Sequence, residues 1–268
     1  MSNPTVVVIT GVSSGIGRTA AEQFAKRGCR VFGSVRNLDT AQALPGVELI
    51  QLDVRDETSI RQGIEHVVAK AGRIDVLVNN AGTTLLGAME ETVLGEAQAL
   101  FDTNVFGVLR VTQAVLPYMR GQGAGRIVNV SSVLGFLPAP YMGLYSASKH
   151  AVEGLSESLD HEVRRFGIRV ALVEPSFTQT QLDINAPQAA TRIAAYTGER
   201  TTVSQAIGLN VRKAPLPAAV AATIVEAALG SWRMRHTPKG EATLLRRLRR
   251  FMPAGPVDSG LRKTFGLG

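Results

Sequence analysis

The chain has 268 residues and a formal net charge of +7 at pH 7, with 45% hydrophobic and 19% charged residues. This composition is typical of a globular protein with a substantial core, and the length suits one large α/β domain or two small ones. The single cysteine, Cys29, excludes an intrachain disulfide and favours a reducing compartment.

The sequence predicts neither secretion nor a membrane span. From Pro4 the chain runs directly into a strand-like hydrophobic segment, with no basic region and no cleavage site before it. The longest uncharged run, residues 127–148, exceeds membrane-spanning length but contains Asn129, Pro138 and Pro140. We therefore expect a cytoplasmic protein.

Strand-like and helix-like segments alternate along most of the chain. The predicted strands cover residues 6–10, 30–35, 47–52, 76–79, 126–131 and 168–173, and the predicted helices cover 15–26, 58–71, 96–119 and 145–166. Such alternation implies right-handed crossovers between parallel strands. It predicts an α/β fold with a Rossmann-type doubly wound parallel sheet and helices on both faces, in a single domain over residues 1–240.

Residues 176–215 interrupt this alternation. Their periodicity is weak and prolines stand at positions 187 and 215, so we predict a mobile lid over the site, because loops of this length are usually functional or disordered. A helix over residues 217–229 and a short strand over 232–236 are expected to follow.

The C-terminal segment, residues 241–268, is predicted to be a basic amphipathic extension. Residues 231–268 hold nine Lys or Arg and two Asp or Glu, so they account for the whole net charge, and residues 1–230 give no electrostatic argument for a nucleic-acid partner. Within 241–252, leucines and a phenylalanine recur at helical spacing between arginines, a pattern that can lie in a membrane interface. Packing of this apolar stripe on the domain or on a second subunit is the favoured interpretation.

A glycine-rich loop follows the first predicted strand and opens the first helix. Glycines there permit a tight turn and a close approach of the backbone, and the helix N-terminus offers free N–H groups to a pyrophosphate. The spacing is Gly-x-x-x-Gly-x-Gly rather than Gly-x-Gly-x-x-Gly. The predicted dinucleotide contacts in this loop are Gly11, Ser13, Ser14, Gly15, Ile16 and Gly17.

The end of the second strand predicts which dinucleotide is used. An NAD-binding site usually has an acidic residue at this point, bound to the ribose 2′-hydroxyl. Here the sequence reads Ser34-Val35-Arg36-Asn37. Because Arg36 can pair with a 2′-phosphate, we predict that NADP(H) is preferred over NAD(H).

Tyr145 and Lys149 are four residues apart on a predicted helix, so the phenol and the ammonium share one face. To act as a base near neutrality, the phenol needs a pKa lowered from about 10 to about 7, which corresponds to about 4 kcal/mol. An ammonium about 4 Å away contributes an energy of this size at an effective dielectric constant of about 20. The pair therefore predicts a tyrosine that exchanges protons at working pH.

Further motifs accompany the glycine loop and Tyr145-x-x-x-Lys149. They are Leu52-Asp53-Val54, Asn79-Asn80-Ala81-Gly82, Asn104, Ser131-Ser132 and Glu174-Pro175. Together these motifs resemble the classical short-chain dehydrogenase/reductase family, over residues 4 to about 240. Within the family, Arg36 and the apolar segments expected to line the substrate cleft resemble the NADP-preferring branch of 17β-hydroxysteroid and retinol dehydrogenases.

The resemblance implies a role for each matching residue. Tyr145 would be the general acid or base, Ser132 would bind the substrate oxygen, and Lys149 would hold the nicotinamide ribose and lower the Tyr145 pKa. Asn104 would position a water that links Lys149 to solvent. Ser131 is the alternative to Ser132, and Thr180 is the alternative to Thr178 at the nicotinamide carboxamide. The other implied cofactor contacts are Asp53, Val54, Asn80, Ala81 and Pro175.

The expected substrate is an apolar ketone, aldehyde or alcohol, because the predicted cleft walls are apolar. These walls are Leu85, Leu86, residues 133–137 and Phe177. Two other functions stay open: an NADP(H)-binding redox sensor without turnover, and an epimerase or dehydratase of the same fold. The resemblance also implies a homodimer or homotetramer, formed through the helices near residues 96–120 and 145–166.

Neither a metal site nor a further acid–base carboxylate pair is predicted. His150 and His161 show no metal-ligand spacing, so no metal site is predicted. Asp102 and Glu174 have no matching carboxylate arranged for acid–base work, and we expect them to be unremarkable in that respect.

Overall fold

The fold is built on a single parallel sheet of seven strands in a computed structural model that describes residues 3–184 and 186–267. The strand order is β3-β2-β1-β4-β5-β6-β7, and every strand pair is parallel. This confirms the predicted doubly wound α/β fold. The strands are β1 (Val6–Ile9), β2 (Arg30–Val35), β3 (Val47–Gln51), β4 (Val76–Asn79), β5 (Gly125–Val130), β6 (Ile168–Val173) and β7 (Arg235–His236).

Helices cover both faces of the sheet, because side chains alternate between the faces along each buried strand. Val7 and Ile9 of β1 pack with α1 and α8, whereas Val6 and Val8 pack with α2 and α4 and with the end of α5. The α-helices are α1 (Gly15–Lys26), α2 (Glu57–Ala71), α3 (Leu94–Phe101), α4 (Gly107–Gln122), α5 (Gly143–Val163), α6 (Gln181–Ile184), α7 (Thr197–Lys213), α8 (Ala218–Leu229), α9 (Glu241–Phe251) and α10 (Ala254–Thr264).

The strand order reverses at β1, which lies between β2 and β4. The chain leaves the carboxyl ends of β1 and β4 toward opposite faces of the sheet. A crevice therefore opens at that edge, where doubly wound folds bind their ligands.

The predicted helix over 96–119 is confirmed, since the chain is helical from Leu94 to Gln122, through α3 and α4. A wider π-helical turn, Asp102–Phe106, joins them and contains Asn104. The Asn104 side chain points inward: its Oδ1 accepts from the Thr83 N–H at 2.8 Å, and its Nδ2 donates to the Thr83 carbonyl oxygen at 2.9 Å. Such wide turns are frequent at functional sites, and hydrophobic periodicity alone did not reveal this one.

The prediction of an irregular segment over 176–215 was wrong for its second half. Residues Thr197–Lys213 form α7, whose buried residues Val203, Ile207 and Val211 recur every four positions. The buried face also carries Arg200, which pairs with the buried carboxylate of Glu91. A charged residue on the inner face weakened the apolar pattern, so the helix was missed.

Glu174, for which no acid–base role was expected, lies in a buried ion-pair cluster at the end of β6. Arg235 of β7 pairs with Glu174 and with Glu153 of α5, and its Nη2 lies 2.7 Å from Glu157. Burial and, after it, the charge of the neighbouring Glu153 raise the pKa of Glu174 to about 7 against the opposing effect of Arg235. Glu153 could not be matched to Glu174 by sequence, since 21 positions separate them.

Replacement of Arg235 tests how far this cluster stabilises the fold. Arg235→Met leaves two buried carboxyl groups without their cation, so we expect the free energy of unfolding to fall by about 2–4 kcal/mol at neutral pH. Because the folded-state pKa of Glu174 is raised from 4.5 to about 7, protonation below neutrality removes the unpaired charge, and the deficit should shrink as the pH falls. Denaturant unfolding measures both effects.

Arg233→Met is the matched control, because Arg233 pairs with Glu226 at the surface, where both side chains are about two thirds exposed. Exposed pairs contribute about 0–1 kcal/mol. Equal losses in the two variants, or a deficit in Arg235→Met that does not change with pH, would contradict the account of the cluster.

Candidate active site

A cleft of about 720 Å³ lies at the carboxyl edge of the sheet. It runs from the glycine loop after β1 to the N-terminal part of α5. All of the residues predicted to bind cofactor line it, and so do three of the four predicted catalytic residues. These are the six residues of the glycine loop, Arg36, Asp53, Val54, Asn80, Ala81, Pro175, Thr178, Ser132, Tyr145 and Lys149.

The glycine loop has the geometry of a phosphate cradle. Gly11 and Gly15 have φ angles of +73° and +59°, which side chains with a Cβ rarely adopt. A Cβ on Gly17 would collide with the Gly11 carbonyl oxygen and the Asn80 amide. The first turn of α1 begins at Gly15 on this cleft, so its free N–H groups and positive dipole end fit a dinucleotide pyrophosphate.

Asn80 holds the cradle in shape in addition to lining it. Its Nδ2 donates to the carbonyl oxygens of Thr10 and Gly11 at 2.9 and 3.0 Å. The backbone N–H groups of Asn80 and Ala81 both donate to Thr10 Oγ1 at 3.0 Å. The loop after β4 is thereby tied to the loop after β1.

Two arginines border the end of the cleft where the second strand finishes. Arg36 was predicted, but Arg55 was not; its Nη2 lies 3.2 Å from Asp53 Oδ2. Burial raises the pKa of Asp53, but hydrogen bonds and charge from Arg55, with the charge of Arg36, lower it below the usual range. Asp53 therefore stays ionised, and its charge is offset by cations that also face the cleft.

Tyr145 and Lys149 lie on the buried face of α5, as the four-residue spacing requires. Lys149 Nζ donates to the Val130 carbonyl oxygen at 2.9 Å and lies 5.7 Å from the centre of the Tyr145 ring. Burial lowers the pKa of Lys149 to about 8, and the Glu153 carboxylate opposes this shift. Lys149 is thus cationic at neutral pH and is placed to act on the phenol.

The two adjacent serines after β5 have different surroundings. Ser132 Oγ accepts from the Leu134 N–H at 3.1 Å and lies 3.5 Å from the Pro175 carbonyl oxygen. Ser131 also lines the cleft, but its side chain is more deeply buried, at 2% exposure against 8% for Ser132. These differences favour Ser132 as the serine that meets a substrate.

Asn104 is the predicted catalytic residue that does not line the cleft. Besides its contacts with Thr83, its Nδ2 donates to Ser148 Oγ at 3.1 Å, and that hydroxyl donates to the Tyr145 carbonyl oxygen at 2.7 Å. Asn104 therefore braces the turn of α5 that carries Tyr145. Its predicted water contact remains a prediction.

Thr178 and Thr180 both line the cleft, and the choice between them stays open. Thr178 Oγ1 donates to the Ser176 carbonyl oxygen at 3.0 Å. Its hydroxyl is therefore committed to the local turn in this structure.

Apolar side chains form the remaining walls of the cleft. The predicted Leu85 and Phe177 take part, whereas Leu86 is buried in the cluster behind them. The C-terminal extension adds Leu245 and Leu261, and also Phe265, whose ring centre lies 6.3 Å from that of Phe177. Sequence reasoning missed this wall because no periodic signal connects α10 to residues far earlier in the chain.

A family model described as short chain dehydrogenase matches residues 5–191. The chain belongs to the short-chain dehydrogenase family. This family consists of oxidoreductases, and its assignment confirms the resemblance seen in the motifs.

Curated relatives place the chain within the family. It is 43% identical over 172 residues to 3-ketodihydrosphingosine reductase of Bacteroides thetaiotaomicron, covering 64% of the chain and 63% of that relative. It is 42% identical over 184 residues to human 17-beta-hydroxysteroid dehydrogenase type 1, covering 63% of the chain and 56% of that relative. It is 40% identical over 192 residues to human retinol dehydrogenase 8, covering 67% of the chain and 61% of that relative. The chain thus spans less than two thirds of each of these relatives, and they confirm the steroid- and retinol-dehydrogenase-like branch.

Solved structures share the whole architecture. A short-chain dehydrogenase from Streptomyces avermitilis superposes with a TM-score of 0.82 at 36% identity, covering 98% of this chain and 95% of that one. A Burkholderia phymatum short-chain dehydrogenase/reductase in complex with NAD gives a TM-score of 0.79 at 30% identity, covering 92% of this chain and 93% of that one. ElxO with NADP bound gives a TM-score of 0.72 at 28% identity, covering 88% of this chain and 97% of that one. Structural neighbours therefore bind NAD in one case and NADP in another.

Within residues 3–184 and 186–267, no group of three or more His, Cys, Asp or Glu residues is close enough to hold a metal ion. No helix in these residues has both the length and the apolar character needed to cross a membrane.

The Lys149 charge should set the upper pH limit of cofactor binding. With its pKa lowered from 10.5 to about 8, the folded protein loses this proton as the pH rises through about 8, whereas an unfolded chain keeps it. We expect the affinity for NADP⁺ to fall above that pH, measured by fluorescence titration. Lys149→Met should bind more weakly and show no such break.

Lys70→Met, at an exposed position of α2, is the control and should keep the wild-type pH profile of NADP⁺ affinity.

Deprotonation of Lys149 relieves the cost of burying its charge, so the contribution of Lys149 to the free energy of unfolding rises between about pH 8 and 10.5. The loss of affinity above about pH 8 is therefore not caused by alkaline unfolding, which would lower the melting temperature over the same pH range. If the affinity of Lys149→Met for NADP⁺ still fell above about pH 8, another titrating group would be responsible for the fall.

Proposed function

We propose that the protein is an NADP(H)-dependent oxidoreductase that interconverts an apolar ketone or aldehyde and the corresponding alcohol. The observation that carries the proposal is that one cleft contains Ser132, Tyr145, Lys149 and the dinucleotide cradle, with apolar walls around them. Hydride transfer belongs to the nicotinamide when it is bound. The protein must bind the cofactor, place the carbonyl group and move a proton.

The proton is handled by Tyr145. In the reducing direction the hydroxyls of Ser132 and Tyr145 donate hydrogen bonds to the substrate oxygen, which gains negative charge as the carbonyl is reduced. Tyr145 then gives its proton to that oxygen, and the nearby Lys149 ammonium stabilises the phenolate left behind. In the oxidising direction the same phenolate takes the proton from the alcohol.

NADP(H) is the preferred cofactor in this proposal. Arg36 and Arg55 border the cleft where the second strand ends, and β2 ends without a carboxylate. Two guanidinium groups favour a 2′-phosphate through charge and hydrogen bonding. Asp53 already binds Arg55, so Arg36 is the residue on which the preference should depend.

The substrate is inferred to be hydrophobic, with one polar anchor at the reacting oxygen. Leu85, Leu134, Met142 and Phe265 line the cleft near the tyrosine. The relatives named for ketodihydrosphingosine, steroid and retinol substrates point to the same class. The particular substrate is left at this level.

A homodimer or homotetramer and a cytoplasmic location belong to the proposal as well. Leu109 of α4 and Leu155 of α5 are 38% and 39% exposed, and Phe106 beside α4 is 47% exposed. These apolar side chains are available to a second copy, whereas Val105 and Val152 are buried in the protein's own core.

Tyr145→Phe tests the catalytic assignment. Loss of the hydroxyl should lower the turnover of NADPH with apolar carbonyl compounds about 100- to 10,000-fold, the usual contribution of general acid catalysis. NADPH affinity should stay close to wild type. Absorbance of NADPH during turnover and fluorescence titration measure the two quantities.

The matched control is Tyr141→Phe, which removes a phenol that donates to Glu199 at 3.0 Å outside the cleft. It should keep most of the activity. Binding of NADPH without consumption, across a panel of apolar carbonyl compounds, would instead support a redox sensor, and product formation without net cofactor use would support an epimerase or dehydratase.

Arg36→Ala tests the cofactor preference. Losing a charged hydrogen-bond partner of the 2′-phosphate costs about 1.5–3 kcal/mol, so NADPH affinity should fall about 10- to 150-fold while NADH affinity changes little. Arg61→Ala, an exposed arginine on α2, should leave both affinities unchanged. Equal affinity of the wild-type protein for NADH and NADPH would refute the assignment.

A further inference from the structure

Helix α9 exposes apolar side chains next to an arginine. Leu244 is 55% exposed and Phe251 is 80% exposed. With Arg247 they follow an i, i+3, i+7 spacing, so the three side chains lie on one face of the helix. We call Leu244, Arg247 and Phe251 the α9 face. Leu244 and Phe251 lie two helical turns apart on this face, and exposed apolar side chains grouped on one face mark a candidate interaction site.

The other side of α9 is fixed to the domain. Ala242 is buried and Leu245 lines the cleft. Arg249 Nε donates to the Phe136 carbonyl oxygen at 3.3 Å, in the loop that follows Ser132. The domain therefore covers part of the apolar stripe and leaves the α9 face outward.

The charge around this face indicates an anionic partner. Arg247 lies on this face and is exposed; Arg246 and Arg249, on other sides of α9, are exposed too, as are Arg262 and Lys263 of α10. Residues 1–230 are electrically balanced, so the net positive charge of the protein comes from the segment of the chain that contains α9. Nucleic acid would use the charge but not the exposed leucine and phenylalanine. A lipid surface with anionic headgroups accepts both.

The position of α9 adds a further reason for a lipid surface. Leu245 and Glu241 of α9 border the same apolar cleft as Leu182 of α6, which is itself 38% exposed. The α9 face therefore adjoins the rim of the cleft. Docking through this face would bring the rim next to the lipid.

We propose that the α9 face docks the protein on the surface of a bilayer that carries anionic headgroups. Leu244 and Phe251 enter the interface, and Arg247 contacts the headgroups. The docking is independent of the enzymatic activity. Combined with the proposed function, it places the entrance for an apolar substrate at the lipid surface.

Vesicle co-sedimentation of the full chain tests the electrostatic part. Vesicles of phosphatidylcholine with phosphatidylserine should carry the protein into the pellet at low salt, and phosphatidylcholine alone should carry much less. Raising the salt to about 1 M, where the Debye length is about 3 Å, should release it. Arg247→Glu should weaken binding about tenfold or more, whereas Arg61→Glu, the same charge change on exposed α2, should bind like wild type.

The apolar part needs a second pair of variants. Leu244→Ser with Phe251→Ser should weaken binding to the anionic vesicles about tenfold or more, because two apolar side chains no longer enter the interface. The control, Leu94→Ser with Leu216→Ser, removes two leucines that are 72% and 64% exposed elsewhere and should bind like wild type. Circular dichroism and thermal melting confirm that each variant is folded.

Two results would overturn the proposal. One is vesicle binding that is absent, or that the α9 variants leave unchanged. The other combines two observations: light scattering without lipid detects an oligomer, and the protein does not bind vesicles. If Leu244→Ser with Phe251→Ser then converts this oligomer to a monomer, the α9 face joins two copies of the chain. Both readouts are binding measurements, so a failed activity assay does not affect them.

Discussion

Burial of the Lys149 ammonium is the constraint on which the arrangement of the site depends. A cation inside the protein is costly unless it has partners, and here the Val130 carbonyl oxygen and the nearby Glu153 carboxylate supply them. Both partners must hold their positions relative to α5. The polar contacts along the buried face of this helix keep it in place: Asn129 Nδ2 donates to Ser156 Oγ at 2.8 Å, and Asp160 binds Arg169 and the Val170 N–H.

The cluster of Glu153, Glu174 and Arg235 extends this arrangement from the catalytic helix to the edge of the sheet. Arg235 lies on the last strand, Glu174 immediately follows β6, and Glu153 is one helical turn beyond Lys149. The residue after Glu174 is Pro175, which lines the cleft. The ion pairs of Arg235 therefore fix Glu153, the carboxylate near Lys149, to the end of β6. They also fix the start of the segment that follows β6 along the cleft.

Segments distant in sequence complete the cleft. The domain core supplies the cradle and the proton-transfer residues, but α10 supplies Phe265, which meets Phe177 from the segment after β6. Because α9 leads directly into α10, the helix that carries the exposed arginines also positions this wall. The surface charge of the extension and the apolar character of the cleft are thus linked through one continuous piece of chain.

The sequence by itself determined the parallel sheet, the glycine loop and the shared face of Tyr145 and Lys149. Each depends on local spacing along one strand, turn or helix, where the covalent chain fixes which side chains are neighbours. Only the tertiary structure showed Arg55 beside Arg36, Glu153 against Glu174, and Phe265 in the cleft wall. It also showed α7 and the wide turn at Asn104, whose inward polar residues blur the apolar period. These features arise from contacts across long sequence separations, which no periodicity records.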